Sequence, residues 1–270
     1  MSELMKRSIT GLILIAVMVT SVIAGAWIFV FTVLLLNIFC VNEFYRLFQS
    51  LSPRKTWGIF VSTGLFVSVM LFTLNIFTWQ VLLLIFPLAL SLFVSELYTR
   101  SERPFERLAI TFLAIIYITI PALFLANLPI IPFEDKVYHT QYVLGFYFLV
   151  WSHDSGAFAI GKLFGKHALF LRITPKKTWE GSVGGAISAM IMAYLLSFFY
   201  SDLSLQNWMV IALIVTLTGT YGDFIKSLLK RSLQVKDSGT ALPGHGGFLD
   251  RFDALLGSAP FVFSYVLLLH

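Results

Sequence analysis

The second half of the chain concentrates acidic and basic residues in two segments, 151–181 and 223–253, that interrupt apolar stretches. Asp154 follows an uncharged run, and Asp223 likewise follows a long apolar stretch. An ionised carboxylate in the hydrocarbon of a bilayer costs about 2.5–3.5 kcal/mol on insertion scales, so it is expected to face a partner charge, water or a ligand. These acids therefore predict a functional site rather than ordinary helix packing.

Two further carboxylates are spaced so that one divalent cation could neutralise both. Asp250 and Asp253 are three residues apart, which places them on the same side of a helix. Their mutual repulsion would be relieved by Mg²⁺ or Mn²⁺, with water and substrate phosphate as the remaining ligands. Cys40 is the single cysteine, so cysteine-based zinc binding is excluded.

Basic residues surround these acids. Asp223, Lys226 and Lys230 follow the spacing i, i+3, i+7 and share one helix face. Ammonium and guanidinium groups are the side chains that bind phosphate most strongly. The residues expected to supply this positive charge are Lys226, Lys230, Arg231, Lys236 and Arg251.

Glycines close to the second acidic pair would let the backbone approach a phosphate. Gly244, Gly246 and Gly247 lack side chains, and His245 between them could donate to an oxyanion or cap a helix. A solvated basic loop explains any single lysine equally well, but it does not explain acids inside the adjoining apolar helices. No glycine segment reads GxxxxGK[ST], so a Walker P-loop is not indicated. The pattern favours a metal- and phosphate-binding site suited to phosphoryl or nucleotidyl transfer.

Composition indicates that membrane helices must position these residues. The chain of 270 residues is 58% hydrophobic and 12% charged, with a mean hydropathy of +0.85, whereas soluble domains are roughly 25% charged. We therefore predict an all-α integral membrane protein, 1–270 as one polytopic domain, with the catalytic half at about 150–270. The predicted spans are Ile9–Ile23, Ala26–Phe48, Thr56–Leu74, Trp79–Tyr98, Leu108–Leu128, Tyr138–Phe164, Trp179–Tyr200, Trp208–Lys230 and Ala254–His270.

Nine spans place every lysine and arginine except Lys136, of the 19 in the chain, on the face that carries the N-terminus. Positive charge marks the cytoplasmic side of membrane proteins. The pattern thus predicts a cytoplasmic N-terminus, an external C-terminus and a site facing the cytoplasmic leaflet. Adding or removing one central span would scatter these charges over both faces.

A signature in the second half resembles that of the phosphatidate cytidylyltransferases, with no departure from it. The matching residues are Ser227-x-Leu229-Lys230-Arg231, Lys236-Asp237-x-Gly239, Leu242-Pro243-x-His245-Gly246-Gly247-Phe248 and Asp250-Arg251-Phe252-Asp253. The upstream segments DSGAFAIGKLFGKH and PKKTWEG are also similar to motifs of that family. The resemblance is specific from about Asp154 to Asp253 and vague before it.

The resemblance implies a Mg²⁺-dependent reaction of CTP with phosphatidic acid that gives CDP-diacylglycerol and pyrophosphate. Mn²⁺ is an alternative metal, and a second cation is compatible with the pattern. The resemblance also implies a homodimer in the bacterial plasma (inner) membrane, with no nucleic-acid partner. The expected metal ligands are Asp154, Asp223, Asp250 and Asp253, and the expected catalytic residues are Asp223, Asp250, Asp253 and Lys226. The expected substrate-binding residues are Lys176, Lys177, Lys230, Arg231, Lys236, His245, Gly246, Gly247 and Arg251.

Two other functions are compatible with parts of the pattern. A CTP-dependent polyprenol or phytol kinase would transfer the γ-phosphoryl group to an alcohol and release CDP instead of pyrophosphate. An ion or lipid transporter would also carry buried acids, but transporters often contain two similar halves. We find no internal repeat, and the ionisable residues crowd into the second half. The cytidylyltransferase interpretation is therefore favoured.

Overall fold

Apolar helices dominate the computed structural model, which describes residues 3–51, 53–130, 137–235, 237–239, 241–242 and 246–270. Within these residues, seven helices are long and apolar enough to cross a membrane. This confirms the predicted all-α membrane class, and the chain is a multi-pass membrane protein. The described helices are α1 (Glu3–Ile23), α2 (Ala26–Leu47), α3 (Lys55–Thr73), α4 (Ile85–Leu97), α5 (Pro104–Ala114), α6 (Ile120–Asn127), α7 (Thr140–Phe164), α8 (Trp179–Phe199), α9 (Leu205–Ser232) and α10 (Leu249–Leu269).

In two of the spans the regular α-helix is interrupted shortly before a proline. A π-helical turn at Ile115–Thr119 joins α5 to α6 just before Pro121, whose ring and missing N–H disturb the regular helix bond pattern. A 3₁₀ segment at Trp79–Leu84 similarly precedes α4, which contains Pro87. Membrane helices tolerate such breaks when neighbouring groups satisfy the backbone.

Two of the predicted spans fall short of the membrane-crossing criterion. The apolar part of α1 is the shorter stretch Ser8–Ile23. In α7 the polar run 152–155 lowers the hydropathy of the helix, although α7 covers most of the predicted segment. Both helices exist, but the count of nine spans stays a prediction.

A small β-hairpin accompanies the helices, and the sequence did not predict it. Strand β1 (Ala168–Phe170) pairs antiparallel with β2 (Thr174–Thr178), and Ala168 lies opposite Thr178. The predicted loop before α8 is therefore a hairpin that carries Lys176 and Lys177. The segment is too short and too basic to show the alternation that identifies a strand from sequence.

The chain divides into two compact units, of which unit 1 comprises Met1–Ile131 and Asp237–Arg251. Its helices are joined by a buried polar chain in which Asn37 donates to Ser62 at 2.9 Å and Ser62 bonds Thr119 at 2.8 Å. Glu96 of α4 also pairs with Arg107 of α5 at 3.7 Å, with both side chains buried. Because buried polar groups need partners, these contacts fix how α2 to α6 pack within unit 1.

Unit 2 comprises Pro132–Lys236 and Phe252–His270. Small residues allow α7 and α8 to approach each other closely. A Cβ atom at Gly156 would collide with Ser188, and one at Gly181 would lie 2.9 Å from the carbonyl oxygen of Ala157. Small side chains at these positions therefore let the two helices pack closely, and this packing anchors the β-hairpin at the start of α8.

Candidate active site

Four charged side chains of unit 2 form what we call the lysine–aspartate cluster: Lys177, Asp223, Lys226 and Asp253. The Nζ atom of Lys226 lies 3.1 Å from Oδ1 of Asp223 and also contacts Oδ2 of Asp253. Lys177 contacts the other carboxylate oxygen of Asp223. The side chains of Lys226 and Asp253 are only 8% and 9% exposed. Asp223 is 22% exposed and Lys177 is 38% exposed, so the cluster balances two positive and two negative charges around one buried ammonium group, that of Lys226.

Close packing of α9 against the unit 2 part of α10 positions Asp253. A Cβ atom at Gly257 would lie 3.4 Å from the Cα atom of Gly222, so the two backbones are near contact. One turn away, Thr218 donates to Ser258 at 2.8 Å. This approach brings the carboxylate of Asp253 to Lys226.

The β-hairpin positions Lys177 and is itself held by the residues that follow it. Thr178 caps α8 by accepting a bond from the backbone N–H of Gly181 at 3.1 Å. The carboxylate of Glu180 bonds Nδ1 of His167, the residue directly before β1, at 2.6 Å and accepts the backbone N–H of Lys166 at 3.2 Å. These bonds explain why the segment PKKTWEG folds as it does. Lys177 also lies 5.5 Å above the ring of Phe224, a cation–π contact.

Other predicted phosphate-binding residues of unit 2 lie nearer the solvent or lipid. Lys176 on β2 is exposed, Lys230 is half-buried and Arg231 is exposed. Lys230 and Arg231 lie in the last turn of α9, where positive charge interacts favourably with the helix dipole.

Asp154 has a different environment from the cluster. Its side chain is 58% exposed and bonds Nδ1 of the buried neighbour His153 at 3.1 Å. Among the described residues, no hydrogen bond or ion pair joins it to Asp223 or Asp253. Its predicted role at a metal therefore stays a prediction.

Asp250 lies in unit 1, directly after what we call the glycine loop. This name covers the described residues 237–239 and 246–249. Oδ2 of Asp250 accepts bonds from the backbone N–H of Ser238 at 2.8 Å and from its Oγ at 2.9 Å. Gly246 has a φ of 84°, a conformation that favours glycine. Arg251 is exposed, and the predicted substrate ligands Lys236 and His245 lie outside the described residues.

Glu43 of α2 is a residue that the sequence interpretation missed. It is 2% exposed, and its Oε2 accepts the backbone N–H of Leu249 at 2.9 Å. The signal was available, because Glu43 is an acid inside an apolar span, the same feature that identified Asp154.

The residues present fit a divalent cation in part. Among the described residues, no three His, Cys, Asp or Glu side chains come close enough together to hold one metal ion. Two carboxylates, those of Asp223 and Asp253, do converge on one ammonium group. One or two carboxylates completed by water and phosphate oxygens are the usual protein ligands of Mg²⁺, so this donor set suits it.

Comparison with known proteins gives the same family as the signature. Residues 5–269 match the model of the Cytidylyltransferase family. A protein of Staphylococcus haemolyticus named phosphatidate cytidylyltransferase is 43% identical over 122 residues, which is 44% of this chain and 46% of that protein. Proteins of the same name from Haemophilus influenzae and Staphylococcus aureus (strain COL) are 39% and 40% identical over 47% of this chain.

These alignments cover 46% of the Haemophilus protein and 50% of the Staphylococcus aureus protein, so the matched region spans about half the length of the relatives. The family model, in contrast, extends over nearly the whole chain. On this ground, the chain belongs to the Cytidylyltransferase family.

Proposed function

We propose that this protein transfers the cytidylyl group of CTP to phosphatidic acid, giving CDP-diacylglycerol and pyrophosphate. The lysine–aspartate cluster is the observation that carries the proposal, because it holds buried positive charge within a polytopic membrane protein. Family membership and the names of the relatives give independent support.

The reaction requires no nucleophilic side chain. An anionic phosphate oxygen of phosphatidic acid forms a bond to the α-phosphorus of CTP, and the bond from that phosphorus to the bridging oxygen of the β-phosphate breaks. Pyrophosphate leaves with the electron pair of the broken bond. What the protein must supply is alignment of the two substrates and neutralisation of their negative charge.

The residues of unit 2 suit this task. Lys226 and Lys177 carry ammonium groups that can exchange a carboxylate partner for a phosphate oxygen. Before substrate binds, Asp223 and Asp253 hold these ammonium groups in place. Lys176, Lys230 and Arg231 add positive charge for the outer phosphates or the lipid phosphate. Gly246, Gly247 and Arg251 are proposed to contact the substrate through backbone and guanidinium groups, and the family resemblance adds Lys236 and His245.

Mg²⁺ is the proposed cofactor, with Asp223 and Asp253 as its ligands and Asp154 and Asp250 as further candidates. When bound, it would neutralise charge that develops on the phosphate oxygens. In this structure the same two carboxylates hold Lys226, and Asp223 also holds Lys177, so both lysines lie beside the proposed metal ligands.

The finer topology is part of the same proposal. Nine spans, a cytoplasmic N-terminus and a site at the cytoplasmic leaflet of the bacterial plasma membrane follow from the distribution of Lys and Arg. This placement suits both substrates, since CTP comes from the cytosol and phosphatidic acid keeps its acyl chains in the bilayer. A homodimer is expected from the family resemblance.

The nucleotide product tests the proposal. Purified protein with CTP, phosphatidic acid and Mg²⁺ is expected to release pyrophosphate and no CDP. Release of CDP, with phosphate transferred to a lipid alcohol, would instead identify a kinase and overturn the proposal.

A further inference from the structure

We propose that Glu43 is a positioning residue that anchors the glycine loop, and with it Asp250, for binding the phosphates of CTP. The inference rests on the proposed function for its substrate but not for the anchor itself. Glu43 is 2% exposed within the apolar helix α2 of unit 1. A carboxylate buried in this way is costly unless it has a dedicated role and a dedicated partner.

Two glycines of the glycine loop leave room for the carboxylate of Glu43. A Cβ atom at Gly239 would lie 2.8 Å from Oε1, and a Cβ atom at Gly247 would collide with Oε2 and with Oγ of Ser238. Within the described residues, positive φ values among glycines occur at Gly25 and Gly246, not at these two positions. The carboxylate, rather than the backbone conformation, therefore explains why Gly239 and Gly247 have no side chain.

The carboxylate is connected to Asp250 through the start of α10. Oε2 of Glu43 accepts the backbone N–H of Leu249, the residue directly before Asp250, at 2.9 Å. An anion at the N-terminus of a helix is stabilised by the unpaired N–H groups and the helix dipole. Because Ser238 binds Asp250 from the other end of the loop, fixing Leu249 and Gly239 also fixes the Asp250 carboxylate.

The same face of α2 provides a second contact with the loop. Phe39, one helical turn before Glu43, stacks on Phe248 with ring centroids 4.8 Å apart. Glu43 also retains one carboxylate oxygen, Oε1, with no hydrogen-bond partner among the described residues. Apolar stacking alone would hold the loop against α2, so the buried charge points to a requirement for directional positioning.

The experiment compares Glu43→Ala and Glu43→Gln in the full-length protein by hydrogen exchange of peptides covering residues 246–251 and by steady-state kinetics. For Glu43→Ala we expect exchange at the loop to rise, and kcat/KM for CTP to fall, by roughly tenfold each, the effect of one hydrogen bond to a charged group. The KM for phosphatidic acid should not change. Glu43→Gln keeps an acceptor oxygen for the N–H of Leu249. Its loop exchange and its kcat/KM for CTP should therefore lie between the values of the wild type and of Glu43→Ala.

Glu96→Gln is the matched control, because Glu96 is also a buried acid of unit 1 but pairs with Arg107. It should lower the unfolding temperature without changing loop exchange or kcat/KM for CTP. Gly239→Ala provides a second test: it should loosen the loop in the wild-type background and have little effect in Glu43→Ala, where the colliding oxygen is absent.

Unchanged loop exchange in Glu43→Ala would overturn the anchor. Faster exchange with unchanged kcat/KM for CTP, or an equal effect of Glu96→Gln, would overturn the positioning role. If the wild-type protein forms no CDP-diacylglycerol, the proposed function fails. Loop exchange in Glu43→Ala, and the effect of Gly239→Ala with and without Glu43, still decide whether Glu43 is the anchor.

Discussion

Replacing Asp253 by Asn removes one charge from the lysine–aspartate cluster while keeping the size of the side chain. Lys226 would retain Asp223 at 3.1 Å but lose its ionic contact with Asp253, so a balanced cluster would carry one excess positive charge. Removing a partner from a buried ion pair costs about 3–5 kcal/mol. Because the amide oxygen of Asn can still accept from Lys226, we expect the lower cost of about 1–3 kcal/mol.

Loss of activity should exceed this loss of stability. If Asp253 binds Mg²⁺ or orients Lys226 toward phosphate, Asp253→Asn should reduce turnover about 10²- to 10⁴-fold, at tenfold per 1.36 kcal/mol of transition-state stabilisation. Turnover and the unfolding temperature in detergent are measured together over a series of Mg²⁺ concentrations. Higher Mg²⁺ should restore part of the activity if metal affinity is what the variant lost.

The double variant Asp253→Asn with Lys226→Met separates catalysis from structure, because it restores the charge balance. It should recover much of the stability lost by Asp253→Asn but none of the turnover. Asp202→Asn, in the exposed loop before α9, is the matched control and should leave both quantities unchanged. Near-normal turnover of Asp253→Asn at every Mg²⁺ concentration would refute the catalytic role and leave Asp253 a structural partner of Lys226.

Three further changes test how the site of unit 2 is held. Lys177→Gln should lower kcat/KM for CTP about tenfold, the usual effect of losing one charge-assisted bond to phosphate; an unchanged value would remove Lys177 from the site. Glu180→Ala should make limited proteolysis near Lys176 faster than in the wild type, whereas equal cleavage rates would show that Glu180 does not hold the β-hairpin. Gly156→Val should lower the unfolding temperature by several degrees through collision with Ser188, and an unchanged temperature would argue against tight α7–α8 packing.

Hydropathy and charge spacing predicted the helices well because the bilayer imposes one requirement, about 20 apolar residues per span. The structure places a helix at each predicted segment that it describes, with ends such as Leu47 and Phe199 within a residue of the prediction. Residues three apart, such as Asp223 and Lys226, were correctly expected to share a face because helix geometry is local.

Long-range pairing could not be predicted in this way. Sequence spacing gave no reason for Lys226 to bind Asp253, since that contact depends on how closely Gly222 and Gly257 pack. The β-hairpin was missed because its pairing depends on Glu180 and on the start of α8 rather than on strand propensity. Glu43 itself was detectable as an acid inside an apolar span, but its contact with Leu249 could not be predicted, because the two residues are distant in sequence.

The most direct test of the proposed activity uses CTP labelled separately on the α- and γ-phosphates, with phosphatidic acid and Mg²⁺, in wild type and in Asp253→Asn. For the wild type we predict that the α-label enters the lipid and the γ-label is released as pyrophosphate, in equal amounts. Asp253→Asn should slow both together. Transfer of the γ-label to the lipid, with the α-label remaining in CDP, would contradict cytidylyl transfer.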